Sequence, residues 1–161
     1  MFLKTLSALT ASTLIFAAQS GQTPKIHATQ GETRTVIVRQ VLDGDTFVTT
    51  ENEHVRVWGI NSPERDEAGY WAAGLFLDLK ARGRELHCKV MDTDKYSRTV
   101  MQCATPDGVD IGSYMVETGY ARDFVRFSKG FYKSEEDSAK KAKRGLWNPK
   151  SDYSPHLKYT P

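Results

Sequence analysis

The sequence has 161 residues, of which 39% are hydrophobic and 26% are charged, and its formal net charge is +2. This length predicts one domain with a full hydrophobic core, and the composition is typical of a globular protein. A charge this close to zero excludes a general electrostatic field for nucleic acid. Any polyanion would have to be bound by local arginines and lysines.

Residues 1–20 have the layout of a secretory signal peptide. Lys4 precedes an apolar run, and Ala18-Gln19-Ser20 fits a small-x-small cleavage site. The run, about fourteen residues, is shorter than the roughly 20 that span a bilayer, which favours a signal over an anchor. We therefore expect a secreted or periplasmic protein with no stable membrane anchor. Loss of Lys4 on cleavage would lower the net charge to +1.

Three strands are predicted after the polar segment 21–34. Alternating apolar residues predict strands over 33–42, 46–50 and 54–60. A charged loop over 61–69 precedes a helix over 70–83. In that helix Trp71, Leu75 and Leu79 recur every four residues, and Gly83 ends it.

The fourth and fifth strands carry the two cysteines. "ELHCKV" and "RTVMQC" flank the polar turn "DTDKYS". In an antiparallel hairpin centred near Lys95 and Tyr96, Cys88 and Cys103 face each other directly. Because export leads to an oxidising compartment, we expect a disulfide rather than two buried free thiols.

The last elements are two helices, over 110–119 and 132–145, separated by an extended piece over 120–124. Asp110 is the expected cap of the first of them and Gly119 its terminator. Five strands with a helix between the third and fourth are the order of an OB-fold. The prediction is an α+β fold, a five-stranded OB-fold barrel with three helices over 35–147, followed by a loosely ordered tail over 148–161.

Three polar clusters lie where the strand pattern does not require them. They are Asp43 and Asp45 around a glycine, Arg56 with the following "NSPE", and "DKYSR" over 94–98. Each has an alternative explanation. The Asp-Gly pair is typical of a hairpin turn, in which glycine adopts a positive φ. Arg56 can be a surface residue of the barrel, although parity places it on the same strand face as Trp58 and Ile60. "DKYSR" can be a solvated loop.

Together the clusters supply what phosphodiester hydrolysis needs. That reaction requires an activated water and neutralisation of charge on the phosphate oxygens. Asp45 and the "NS" pair offer oxygen ligands for a hard cation, and Glu64 is the best-placed base. Arg56 and Arg98 can hold phosphate oxygens through planar, bidentate guanidinium groups.

These motifs resemble those of the staphylococcal nuclease (thermonuclease) family over about residues 35–147. The matching pieces are "DGDT", "R-x-x-G-I-x-x-P-E", "DKY-x-R" and "E-x-x-A-K…GLW", in the family's order. The resemblance implies an OB-fold, dependence on Ca²⁺, and hydrolysis of DNA and RNA to 3′-phosphate products with little sequence preference. We expect a monomer that acts on single-stranded or locally melted substrates.

The resemblance also implies a role for each matching residue. Asp45 is a Ca²⁺ ligand and Ser62 ligates through its carbonyl, while Asp43 orders the turn. Glu64 holds or deprotonates the water, and Arg56 and Arg98 stabilise the transition state. Lys95 and Tyr96 contact a terminal phosphate of the bound strand.

Two positions depart from the family's pattern. Asn61 stands where the family usually has aspartate, so an amide oxygen replaces a charged ligand. Phe127 stands where a tyrosine is common, which keeps a stacking surface for a base but loses a hydroxyl. The alternative functions are a non-catalytic module that binds nucleic acid or oligosaccharide, and an accessory role in envelope or exopolysaccharide production.

Overall fold

The computed structural model describes residues 29–150. The predicted signal peptide and the tail beyond residue 150 lie outside this range. Within it, no helix has the length and hydropathy needed to cross a membrane.

Within residues 29–150, seven strands form one barrel and one small two-stranded sheet. The strands are β1 (Thr33–Val41), β2 (Thr46–Thr49), β3 (His54–Val57), β4 (Ile60–Asn61), β5 (Glu85–Thr93), β6 (Thr99–Ala104) and β7 (Arg122–Asp123). The barrel closes in the order β1-β2-β3-β6-β5, and β4 pairs with β7. Strands β3 and β6 are parallel, and the other barrel neighbours are antiparallel. The predicted five-stranded α+β barrel is confirmed.

The predicted third strand is shorter than expected. It leaves the barrel after Val57, turns through Gly59 at φ 74°, and resumes as β4 in the second sheet. A Cβ on Gly59 would lie 3.0 Å from a ring carbon of Tyr132, so this turn also needs a small residue. Parity therefore does not extend from Arg56 to Ile60, because the two residues lie in different strands. Arg56 and Trp58 are both half-buried, whereas Ile60 is buried in the core.

The β5–β6 hairpin confirms the predicted disulfide. Cys88 pairs with Cys103 in the ladder, and their sulfurs are bonded. Both residues are buried, so the bond lies among the apolar residues of the barrel core. The register shifts by one residue between Val90 and Asp92, which moves the tip of the hairpin relative to the predicted centre.

In the described part of the chain, four helices and one 3₁₀ turn flank the barrel. They are α1 (Tyr70–Ala81), α2 (Ile111–Glu117), α3 (Val125–Ser128) and α4 (Lys133–Ala142), with the 3₁₀ turn over Gly145–Trp147. Asp110 caps α2 as predicted, because its carboxylate accepts a hydrogen bond from the backbone of Ser113 at 2.8 Å. The one-turn helix α3 was not predicted and falls just before the predicted last helix.

The predicted buried face of α1 is wrong. Its core-facing residues include Ala73, Leu77 and Ala81, whereas Leu75 and Leu79 are exposed. The alanines allow the helix backbone to lie close to the barrel, and this small-residue stripe outweighs the larger apolar side chains. The close approach of α1 matters for the site, because Ala73 packs against the turn between β1 and β2.

Candidate active site

The turn "DGDT" joins β1 to β2 and is fixed by its own side chains. The Asp43 carboxylate accepts a hydrogen bond from the backbone N–H of Asp45 at 3.0 Å, and Leu42 donates to the carbonyl of Thr46 at 2.9 Å. Burial and the neighbouring Asp45 charge raise the pKa of Asp43 to about 6. The turn thus directs the Asp45 side chain inward.

Gly44 does not have the positive φ expected for a hairpin glycine. Its role is close packing. A Cβ at this position would lie 2.5 Å from the Cβ of Ala73 and 2.6 Å from the Cβ of Ser62. The glycine therefore lets α1 and the "NSPE" segment approach the Asp45 turn.

The buried carboxylate of Asp45 is the centre of the site. One oxygen, Oδ2, accepts hydrogen bonds from the backbone N–H of Ser62 at 2.8 Å and from its hydroxyl at 2.9 Å. The other, Oδ1, pairs with Arg56 Nη1 at 3.0 Å and accepts from Thr46 Oγ1 at 3.1 Å. With hydrogen-bond or ion-pair partners on both of its oxygens, the Asp45 carboxylate is rigidly held.

Arg56 gathers oxygen atoms around its guanidinium group. Besides Asp45, its Nη2 donates to the carbonyl of Ile60 at 3.0 Å and lies 3.4 Å from Asn61 Oδ1. The Asp45 and Asn61 side-chain oxygens therefore converge on the two ends of one cationic group. A set of carboxylate, amide and carbonyl oxygens is the donor chemistry of a hard cation, so these residues fit Ca²⁺. Asp45 is the only carboxylate in the set.

Arg98 reaches the same turn from the β5–β6 hairpin. Its Nε pairs with Asp94 at 2.7 Å, and its Nη1 lies 3.4 Å from Thr46 Oγ1. Burial raises the pKa of Asp94, but hydrogen bonds from Arg98 and from the backbone of Tyr96 outweigh it and give a net lowering. Thr46 thus contacts both Asp45 and Arg98, and its hydroxyl connects Arg98 to the Asp45–Arg56 ion pair. The sequence did not single out Thr46, although it belongs to the quoted "DGDT".

The remaining predicted residues lie at the exposed edges of the site. Lys95 and Tyr96 are at the hairpin tip, with the lysine Nζ 4.9 Å from the centre of the tyrosine ring. The Tyr96 ring also lies 5.5 Å from the Arg98 guanidinium carbon, which places it beside that arginine. Among the described residues, the Glu64 side chain has no hydrogen-bond or ion-pair partner, and only its backbone is tied, to Glu67 at 2.9 Å.

Phe127 lies on α3 with 52% of its surface exposed. Its ring packs edge-on against Phe124 at 4.8 Å, and the backbone N–H of Phe124 donates to the carbonyl of Gly59. Helix α3 is therefore fastened to the turn between Arg56 and Asn61. No contact joins Phe127 to Asp45 or to either predicted catalytic arginine within residues 29–150.

Comparison with known proteins identifies the family. A sequence model described as staphylococcal nuclease homologue matches residues 54–149. The chain belongs to the staphylococcal nuclease family. The match begins after the "DGDT" turn and so does not include Asp43 and Asp45. Their position beside Arg56 and Ser62 comes from the structure alone.

Individual relatives carry two kinds of name. The succinoglycan biosynthesis protein ExoI of Rhizobium meliloti (strain 1021) is 30% identical over 126 residues, which covers 71% of this chain and 65% of that protein. An uncharacterized endonuclease of Escherichia coli O157:H7 is 28% identical over 125 residues, covering 74% of this chain and 81% of the relative. The chain thus spans just under two thirds of ExoI.

Proposed function

We propose that the protein is an exported, monomeric, Ca²⁺-dependent nuclease that hydrolyses DNA and RNA with little sequence preference. The observation that carries the proposal is the convergence of Asp45, Arg56, Asn61 and Ser62 at one point, with Arg98 linked to it through Thr46. The endonuclease name of a family relative supports the same reaction class.

Asp45, Asn61 and the Ser62 carbonyl would hold the Ca²⁺ ion, which when bound supplies Lewis-acid polarisation of the phosphate and its water. Glu64 accepts the proton of that water from its exposed position. The water oxygen bonds to phosphorus as its proton passes to Glu64, and the bond to the 5′ oxygen breaks. The 5′ oxygen takes up a proton from solvent water, which leaves a 3′-phosphate and a 5′ hydroxyl. Arg98 donates to the phosphate oxygens as their charge grows.

Arg56 needs an exchange of partners for its proposed role. In the structure its guanidinium is occupied by Asp45 and by the Ile60 carbonyl. Its guanidinium would be free to bind a phosphate if Asp45 ligated the metal ion instead.

The buried disulfide supports export, because such bonds persist in oxidising compartments. The name of ExoI favours a second candidate, an accessory role in exopolysaccharide production. In that role the barrel would bind an oligosaccharide or nucleic acid without cleaving it.

One assay separates these functions. The exported protein is incubated with single-stranded DNA in Ca²⁺ or in chelator, and the fragments are analysed. We expect cleavage in Ca²⁺ and none in chelator. In Glu64→Ala the cleavage rate should fall about 10²-fold or more, as for removal of a general base. Glu51→Ala, in the exposed turn between β2 and β3, is the matched control and should cleave like the wild type. Intact DNA in every lane would refute the nuclease proposal.

A further inference from the structure

The second sheet places Arg122 beside the candidate metal ligands. Strand β4 pairs with β7 so that Asn61 is the direct partner of Arg122. Directly opposed residues of an antiparallel pair project from the same face, with Cβ atoms about 5 Å apart. Arg122 therefore stands next to Asn61, on a strand that the sequence motifs of the family did not single out.

The Arg122 guanidinium is oriented but has no anionic partner among residues 29–150. It lies 5.1 Å from the centre of the Trp147 ring, and Lys140 Nζ lies 4.7 Å from the same ring. Within residues 29–150 the Arg122 side chain makes no ion pair or hydrogen bond, and the residue is exposed. Stacking on tryptophan holds an arginine in place while its N–H donors remain free.

A cavity of about 390 Å³ lies between these elements. Its lining includes Asn61, Ser62 and Arg122. This volume is within the range of clefts that bind small ligands, roughly 300–1,000 Å³. Glu67 is the one carboxylate among the lining residues, and it accepts a hydrogen bond from the backbone of Glu64.

We propose that Arg122 forms a second phosphate subsite, which binds the backbone of a single-stranded nucleic acid beside the candidate metal ligands Asn61 and Ser62. The inference rests on the proposed function for the identity of the substrate. A free guanidinium in a cleft is suited to bidentate recognition of phosphate oxygens. The neutral Asn61 keeps it free, since an aspartate there would be a cross-strand ion-pair partner for Arg122.

The test measures binding without cleavage. A short, fluorescently labelled single-stranded DNA is titrated with the full protein in chelator, and anisotropy is followed at several salt concentrations. Arg84→Gln is the matched control, because Arg84 is an exposed arginine away from the site. It lies near Asp107, which follows the end of β6, whereas Arg98 precedes the start of that strand. Both variants remove one positive charge.

We expect Arg122→Gln to bind about five- to tenfold more weakly than Arg84→Gln, as for loss of one charge-assisted contact. Its slope of log affinity against log salt should be shallower by about 0.7, the value for one phosphate of a single strand. Glu67→Gln keeps a side-chain oxygen that can accept the hydrogen bond from the Glu64 backbone, but it removes a negative charge that repels phosphate. This variant should therefore bind the DNA about two- to threefold more tightly than the wild type.

The outcomes separate this inference from the proposed function. Equal affinities of Arg122→Gln and Arg84→Gln would overturn the subsite, and so would weaker binding with an unchanged slope, which indicates a structural role through Trp147. If the wild type cleaves DNA in Ca²⁺, the nuclease proposal stands in either case. If the wild type binds as expected but never cleaves, the subsite stands and the nuclease proposal fails. No binding by the wild type overturns the subsite.

Discussion

Gly44→Ala adds one methyl group at the point where three elements meet. The new Cβ would lie 2.5 Å from Ala73 Cβ and 2.6 Å from Ser62 Cβ, whereas carbon atoms in contact are about 3.5–4.0 Å apart. Relief of both contacts requires a displacement of about 1 Å. Ser62 supplies two hydrogen bonds to Asp45, so the displacement is transmitted directly to the buried carboxylate.

We expect two effects of different size. Overpacking of this kind costs about 1–3 kcal/mol of unfolding free energy. At about 2–4 °C per kcal/mol for a protein of this length, Tm should fall by about 2–12 °C. Displacement of catalytic groups by about 1 Å can lower a rate about 10²-fold, so DNA cleavage should fall far more than stability requires.

Gly112→Ala is the matched control, because it overpacks a different place. Its Cβ would lie 2.5 Å from the hydroxyl oxygen of Tyr132, in α2 and away from the Asp45 turn. Thermal unfolding is followed by circular dichroism, and cleavage is measured below both Tm values. The control should lose stability but keep its rate per folded molecule. A Gly44→Ala protein with the cleavage rate of the control would refute the packing role assigned to Gly44.

Three further predictions concern the site and the core. Arg56→Lys and Arg98→Lys should each lower turnover about 10²–10³-fold with the fold retained, because lysine keeps the charge but not the bidentate geometry; wild-type turnover would contradict this. Thiol titration of the denatured, non-reduced protein should find no free thiol. The double alanine variant of Cys88 and Cys103 should lose about 3 kcal/mol of unfolding free energy, measured by denaturant unfolding, because the disulfide closes a 15-residue loop. Asn61→Asp should shift half-maximal activity to a lower Ca²⁺ concentration, because a carboxylate is a stronger ligand than an amide. An unchanged midpoint in a Ca²⁺ titration would contradict the role of Asn61 as a metal ligand.

Local patterns were sufficient for the barrel and for the disulfide. Period-two alternation placed the strands, and the hairpin around "DTDKYS" brought Cys88 opposite Cys103. The bulge between Val90 and Asp92 was not predictable, since nothing in the local pattern marks an extra residue. The cysteine pairing survived because two differences cancel: the hairpin tip is centred on Tyr96 rather than between Lys95 and Tyr96, and the extra residue of the bulge restores the predicted register at Cys88 and Cys103.

Close packing and long-range pairing were not accessible from the sequence. The face of α1 was mistaken because side-chain size suggested Leu75 and Leu79, whereas the barrel accepts the small residues Ala73 and Gly74.

Arg122 illustrates the same limit at the site. In "YARDF" it has the pattern of an ordinary exposed arginine, and only the two-residue pairing of β4 with β7 brings it beside Asn61. Strands of two residues carry no periodicity, so this neighbour is defined by the Gly59 turn and by the docking of α3 on its carbonyl. The neutral Asn61 and the opposed Arg122, which has no ion-pair partner in the described part of the chain, are then one feature. A carboxylate at position 61 would strengthen the proposed metal site and engage the arginine proposed for the second phosphate.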